Sequence, residues 1–268
     1  MARLLIGLSF VLLIAGLPAS ASAATCGGDF GSWLEGFKRE AGAAGISQGT
    51  LASAFAGVTP DPKVISLDRN QGHFNQSFEK FMATRVTPGM IQMGAGRLKS
   101  NAGLFAGIEK RFGVPGAVLV AIWGLETGYG ANHGGMPVIR SIATLAHDCR
   151  RSPFFKNELI SALKVAQRGD LAPNAMRGAW AGEMGQTQFL ASSYLKFAVD
   201  YDGNGRRDLI NSSADALAST ANYLKSYGWQ RGQPWNEGSQ NFAVLLEWNK
   251  ARVYAKTVAF FAEKLRGN

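Results

Sequence analysis

The sequence predicts an all-α protein, and three observations carry the prediction. Apolar residues recur at spacings of three and four along most of the chain, the period of one helix face. Sustained alternation of apolar and polar residues, the mark of half-buried strands, is nearly absent, and no repeat or low-complexity tract occurs. Between the apolar stripes stand helix punctuators: Ser before a first-turn Pro, and Gly closing a periodic run. With 268 residues and 46% hydrophobic content, the chain has material for one large core or two small ones.

In chain order, the first residues read as an export signal. Arg3 precedes an apolar stretch from Leu4 to Leu17, and the small residues Ala21, Ser22 and Ala23 follow. Cleavage after Ala23 is expected, leaving residues 24–268 as the mature chain. The stretch is shorter than the roughly 20 residues that span a bilayer, so no transmembrane anchor is expected after cleavage. Thr25 stands where a lipoprotein carries a small residue before its Cys, so lipidation of Cys26 is not expected.

Phe30 to Ala44 reads as an amphipathic helix with Trp33, Leu34 and Phe37 on its apolar face, and a short helix follows from Ser47 to Ala56. Gly45-Ile46-Ser47-Gln48-Gly49 matches the G-x-S-x-G pattern of serine hydrolases, which needs a strand entering a sharp turn. Here the preceding segment is helical, and Ser47 reads as the N-cap of the next helix. Pro60 and Pro62 mark a linker. Phe74, Phe78 and Phe81 form the next stripe, Pro88 opens a helix carrying Ile91, Ala95 and Leu98, and Leu104, Phe105, Ile108 and Phe112 line another.

The run from Gly113 to Ile139 is the centre of the chain. Pro115 is a favoured first helical residue, and Val118, Leu119, Val120, Ala121, Ile122, Trp123 and Leu125 are apolar on every side, so the helix should be buried. Gly128 ends it, and Gly130, Gly134 and Gly135 form a loop. The only fully charged side chain of the run is Glu126, in the last turn. Burial and the negative end of the helix both disfavour its carboxylate, so its pKa should rise. A carboxylic acid protonated near neutral pH is what a glycosidase uses to protonate a leaving oxygen. A buried Glu held by structural hydrogen bonds fits the same stretch, which does not choose between the two.

Further on, Ser152-Pro153 starts a helix through Phe155, Leu159, Leu163 and Ala166 that Gly169 ends. A helix begun near Gln186 should run through Ser192 to Val199. Ser213 caps one through Leu217, Leu224 and Tyr227 to Gly228, and the last carries Tyr254, Val258, Phe261 and Leu265.

The chain carries 28 Lys and Arg against 19 Asp and Glu, a net charge of +9. Removing residues 1–23 takes away Arg3 and no acid, leaving +8. That balance favours an anionic polymer: nucleic acid, a lipid surface, or wall glycan with acidic peptides. Export makes the wall the best fit and nucleic acid a poor one. The two cysteines, Cys26 and Cys149, are able to pair in an oxidising compartment, a long loop whose closure is worth at most about 4–5 kcal/mol in the chain-entropy model. Sequence leaves that pairing open.

Two further stretches carry chemistry. Asp200-Tyr201-Asp202-Gly203-Asn204-Gly205-Arg206-Arg207-Asp208 fits the calcium-loop pattern, with Asp200, Asp202, Asn204 and Asp208 as oxygen donors at alternate places, Gly205 at the sharp turn and the Arg206 carbonyl as a further ligand. Asn211 replaces the final bidentate Glu, and Asp215 is the acid able to complete the shell; an Asx/Gly turn between helices is the other reading. The stretch from Trp180 to Phe189 is small and Gly-rich ahead of a helix, which fits close backbone approach to a ligand or a tight interhelix turn. His73, His133 and His147 are isolated, so zinc is not expected, and phosphate-loop and dinucleotide fingerprints are absent.

Together these stretches resemble the B-type lytic murein transglycosylases. The resemblance rests on Ile122-Trp123-Gly124-Leu125-Glu126-Thr127, on Gly182-x-Met184-Gly185-Gln186-x-Gln188-Phe189, on the Asp200 loop and on Ala221-Asn222-Tyr223, and it runs from about Leu67 to near the C-terminus. It implies a lysozyme-like all-α catalytic core with an EF-hand-like calcium loop, in which residues 24–100 form an N-terminal helical part and residues 101–268 the core. The implied activity is non-hydrolytic cleavage between N-acetylmuramic acid and N-acetylglucosamine in peptidoglycan, leaving a 1,6-anhydro end. Glu126 falls on the family's single catalytic acid. Met184, Gly185, Gln188, Tyr223, Trp248 and Asn249 fall on glycan-contacting positions, and Asp215 on the acid that completes the calcium shell. The resemblance also implies a structural Ca2+, no organic cofactor, peptidoglycan strands as partner, a periplasmic monomer and no appended wall-binding module. Two positions depart from the family pattern: Ala179 replaces a Ser, and Glu183 replaces a small residue. A lysozyme-like hydrolase in which Glu183 or another acid activates water, and a non-catalytic wall-binding protein, are the alternatives.

Overall fold

The computed structural model describes residues 25–70 and 77–267. The expected signal peptide, His73 and Phe74 lie outside the described residues.

Helices dominate the described residues. Near the N-terminus α1 (Phe30–Ala43) and α2 (Gln48–Phe55) begin at side-chain caps, with Asp29 accepting from the Ser32 N–H and Ser47 from the Thr50 N–H. Ser47 is thus a helix cap and not a nucleophile on a strand turn. The expected linker holds α3 (Pro62–Arg69), because Pro62 occupies the first turn, where its missing N–H costs nothing, and Asp61 caps it. Next come α4 (Phe78–Arg85), α5 (Pro88–Ser100), capped by Thr87, and α6 (Ala102–Phe112).

At the centre lies α7 (Gly116–Thr127), every residue of which is buried except Glu126. Pro115 is its N-cap, one place earlier than expected, and Gly128 closes it in the left-handed conformation at φ 60°. It packs against α5, α6, α11 (Ser213–Ser226) and α13 (Arg252–Arg266), so its last turn is fixed from several sides. The Gly-rich segment after α7 leads into β1 (Met136–Pro137) and then α8 (Val138–His147), a helix for which the sequence reading named no element. Next, α9 (Ser152–Gln167) packs against α8 and α10 (Ala191–Phe197). Ser212, not Ser213, caps α11, and α12 (Gln240–Trp248) joins it to α13.

The expected helix from Gln186 begins only at Ala191. Upstream, β2 (Arg177–Gly178) pairs antiparallel with β1, and isolated bridges join Gly178 to Met184 and Met184 to Phe189. Glycines make this ribbon possible: a Cβ on Gly178 would lie 2.0 Å from the Glu183 carbonyl oxygen. Among the described residues no helix is long and apolar enough to cross a membrane.

Candidate active site

The end of α7, the Met184–Phe189 turn, the first turns of α9 and α10, and the C-terminal end of α12 enclose a cleft of about 710 Å³. Glu126 lies in its wall, beside Gln188, Tyr223, Trp248 and Asn249 and the two departing residues, Ala179 and Glu183. Glu126 is half-buried: its stem is packed into the core, and its carboxyl faces the cleft. The Tyr254 hydroxyl donates to its Oε1 at 2.6 Å and the Trp248 Nε1–H to the same oxygen at 3.2 Å.

Burial is the largest influence on Glu126 and, with the Glu183 carboxylate, raises its pKa to about 7; the Tyr254 and Trp248 hydrogen bonds and the charge of Arg85 act against that rise. Both donors converge on Oε1, so Oε2 is the oxygen placed to carry a proton into the cleft. Such a group holds its proton near neutral pH and is stabilised by two donors once it has released it, which is the requirement for an acid that later acts as a base.

Tyr254 was legible in sequence only as part of an apolar stripe on the last helix. A phenol there needs a hydrogen-bond partner, and that was the available signal; the partner itself comes from the packing of α13 on α7. Beside Glu126 the Trp248 ring meets Phe189 and Tyr223 edge-on, at centroid distances of 5.3 and 4.9 Å. The Tyr223 hydroxyl donates to the Glu247 carbonyl at 2.8 Å, and Asn249 Oδ1 accepts from the Ala251 N–H at 3.0 Å. These bonds fix the turn between α12 and α13 that carries Trp248. Phe154, 44% exposed, adds an aromatic face to the cleft that sequence reasoning did not single out.

The Met184–Phe189 turn is closed by two backbone bonds, Met184 N–H to Phe189 O at 2.9 Å and Phe189 N–H to Met184 O at 2.8 Å. Gln188 adopts a positive φ of 53°, uncommon for a residue with a side chain, and its amide donates to the carbonyls of Gly185 at 2.9 Å and His133 at 3.1 Å. Met184 and Gly185 are buried and do not line the cleft. A Cβ on Gly185 would lie 2.6 Å from the Leu209 carbonyl oxygen, so Gly185 serves backbone packing.

Gln186 ties three pieces together. Its N–H donates to Leu209 O at 2.8 Å, its side-chain amide to Ile210 O at 3.1 Å, and its own carbonyl accepts from Thr127 Oγ1 at 2.6 Å. The Asp200 loop is thereby hydrogen-bonded to the turn, and the turn to the end of α7.

Within that loop, Asp200, Asp202 and Asp215 each present an oxygen within 4.8 Å of the others. Asp215 is fully buried and accepts from the N–H groups of Tyr201, Asp202 and Asp208, while Asp200 accepts from Gly203, Asn204 and Gly205. Asn204 Oδ1 accepts from the Arg206 N–H at 2.9 Å. Asp208 stands outside the cluster, its carboxylate turned to the N–H groups of Ile210 and Asn211. The basic residue Arg207 pairs with Asp170 at 3.1 Å. Three carboxylates drawn together, one of them fully buried, form a hard oxygen donor set that fits a hard cation.

Away from the cleft wall, Cys26 and Cys149 are disulfide-bonded with Cα atoms 5.1 Å apart, joining the segment before α1 to the turn between α8 and α9.

The family profile described as Transglycosylase SLT domain matches residues 29–238. The membrane-bound lytic murein transglycosylase B of Escherichia coli (strain K12) is 33% identical over 159 residues, which cover 59% of this chain. The match spans 44% of that relative's length. The crystal structure of SltB3 from Pseudomonas aeruginosa in complex with NAG-anhNAM-pentapeptide superposes with a TM-score of 0.85 at 34% identity, covering 90% of this chain and 80% of SltB3. The Escherichia coli lytic transglycosylase Slt35 in complex with calcium shares the fold, with a TM-score of 0.78 at 23% identity over 92% of this chain and 98% of Slt35.

Proposed function

The chain belongs to the transglycosylase SLT domain family, and from that premise we propose that it is a peptidoglycan lytic transglycosylase with Glu126 as its acid and base. The observation that carries the proposal is a carboxyl raised to about 7 in the wall of a cleft, held by two donors on one oxygen. SltB3, at 34% identity, has been crystallised with NAG-anhNAM-pentapeptide, a ligand containing an anhydro sugar.

Protonated Glu126 donates its proton to the glycosidic oxygen between N-acetylmuramic acid and N-acetylglucosamine, and the C1–O bond breaks. The C6 hydroxyl oxygen of the same muramic residue bonds to C1, and its proton returns to the Glu126 carboxylate. The products are a 1,6-anhydro end and a free 4-hydroxyl; no water is consumed, and the acid is regenerated. Tyr254 and Trp248 stabilise the carboxylate during the interval in which it lacks a proton. Trp248, Tyr223 and Phe154 offer aromatic faces to sugar rings, with Gln188 and Asn249 as polar contacts at either side.

Asp200, Asp202 and Asp215, joined by Asn204 and the Arg206 carbonyl, are the residues that would hold Ca2+, while Asp208, expected in the shell, is turned to Ile210 and Asn211 instead. The ion would supply charge neutralisation to the loop that Gln186 fastens to the cleft. Residues 1–23 are proposed as a cleaved signal leading to the periplasm, and residues 101–268 as the catalytic core behind the helical part at 24–100.

A second reading has an observation of its own. Glu183 lines the same cleft, and two carboxylates across a sugar are the equipment of a hydrolase. Mass spectrometry of the muropeptides released from purified sacculi separates the two readings. A transglycosylase leaves 1,6-anhydro termini and a hydrolase leaves reducing termini. Glu126→Gln is expected to lower release by about 10²–10⁴-fold while the variant still sediments with sacculi; wild-type release by that variant contradicts the assignment.

A further inference from the structure

The cleft carries an acid that the proposed reaction does not use. Of its acids, Glu126 is the proton carrier, and Glu247 is ion-paired with Lys250. Glu183 is left as a carboxyl group with no ion pair among the described residues, its side chain accepting only from its own N–H and that of Ala181. The basic group whose charge reaches it is Arg151, and Arg151 is already ion-paired with buried Asp68. Glu158, which also acts on Glu183, is an acid that accepts from Ser192 N–H and Oγ at 2.9 and 2.7 Å. Glu183 therefore has two further acids, Glu126 and Glu158, as its neighbours and is half-buried.

Its position is also fixed. The Glu183 carbonyl accepts from the Ala179 N–H at 2.8 Å, and Gly178 lets the backbone come so close that a Cβ there would lie 2.0 Å from that carbonyl. Flanking bridges at Gly178 and Met184 hold the residue at the cleft wall. Ionising a half-buried carboxyl beside other acids is costly, and a positive group that pairs with it offsets that cost. A fully N-acetylated glycan offers amides, hydroxyls and, where no peptide is attached, the lactyl carboxylate of the muramic residue, none of them cationic. A primary ammonium offers three N–H donors and a full charge, and a charge-assisted bond is about twice as strong as a neutral one.

We propose that Glu183 is a specificity-determining residue that gives the cleft a preference for peptidoglycan bearing a primary ammonium group near the cleaved linkage. The ammonium comes either from an N-deacetylated sugar or from the diamino residue of a stem peptide. The inference rests on the lytic transglycosylase reading and names the substrate class of that site. Burial and the nearby acids raise the pKa of Glu183, and an ammonium bound there favours its charged form.

The test uses the purified full chain and two matched pairs of substrates. One pair is peptide-free glycan, fully N-acetylated or partly N-deacetylated. The other is N-acetylated glycan with stem peptides whose side amine is free or chemically acetylated. Release of anhydro-terminated fragments is quantified as kcat/KM, and the readout is the ratio within each pair, so a general loss of rate in a variant cancels. The wild type is expected to prefer the amine-bearing member of one pair by about ten-fold, and the pair that shows it identifies the source of the ammonium. Glu183→Gln and Glu183→Ala are both expected to reduce that ratio to within about two-fold. Equal wild-type rates within both pairs, or a preference that persists in both variants, overturns the inference while leaving the transglycosylase reading intact. Absence of anhydro product from every substrate overturns both.

Discussion

At the scale of single residues, the molecule turns on one carboxyl group in a helix that is otherwise closed to water. The raised pKa of Glu126 has a consequence for stability. Its folded pKa, about 7, lies above the value for an exposed Glu, so the folded state holds the proton more tightly than the unfolded one. The stabilising contribution is complete at acidic pH and disappears as pH climbs through about 7. Glu126→Gln keeps the acceptor for Tyr254 and cannot ionise. At pH 8 it is expected to be more stable than the wild type by about 1–2 kcal/mol, discounted for the open side of the cleft, and the gap should close by pH 5. Thermal melts at the two pH values check this; an equal gap at both would show that Glu126 ionises as an exposed group. Tyr254→Phe removes a bond that favours the carboxylate, so the alkaline limb of the activity profile should move to higher pH and the rate fall about ten-fold. An unmoved limb would mean that Tyr254 does not act on Glu126. Glu126 was legible in sequence because a lone charge in an apolar run is conspicuous. Tyr254 was not, because a stripe shows which face of a helix is buried and never which helix it meets.

At the scale of elements, periodicity located most helices and failed where glycine decides the backbone. The turn between Met184 and Phe189 lies directly ahead of a helix, and its residues from Gln186 onward read as the start of that helix. Positive φ at Gly182 and Gly185 and the close approach of Gly178 to Glu183 make it a ribbon instead. The helix at Pro62 was missed for the opposite reason: its prolines read as linker, yet Pro62 stands at a helix start. Gly178→Ala should therefore be severe, at about 3 kcal/mol or more, because its Cβ would overlap backbone and not a flexible side chain. Denaturant unfolding measures it, and a loss under about 1 kcal/mol would show that the ribbon yields. In the Asp200 loop, Asp200→Ala is expected to lower Tm in calcium and to change it little in chelator, because a ligand of the native state alone stabilises by mass action. Equal losses in both conditions would remove calcium from the loop. The spacing of oxygen donors there was plain in the sequence, whereas the buried setting of Asp215 depends on α11 packing against α6 and α10.

At the scale of the whole molecule, a single helical core holds the cleft between elements far apart in the chain, with Glu126 reached by side chains more than 120 residues away. The Cys26–Cys149 bridge spans a sequence separation of 123 residues, a pairing that sequence left open because Cα proximity is a tertiary fact. Replacing both cysteines by Ser should lower stability by up to about 4–5 kcal/mol, read by denaturant unfolding, with kcat on sacculi held near wild type because the bridge does not line the cleft. Cleavage in water enriched in ¹⁸O tests the central claim most directly. If Glu126 passes its proton to the linkage and recovers it from the sugar's own C6 hydroxyl, the released ends are 1,6-anhydro and carry no ¹⁸O. One ¹⁸O atom on each new reducing end would show that water, not the sugar, attacks C1.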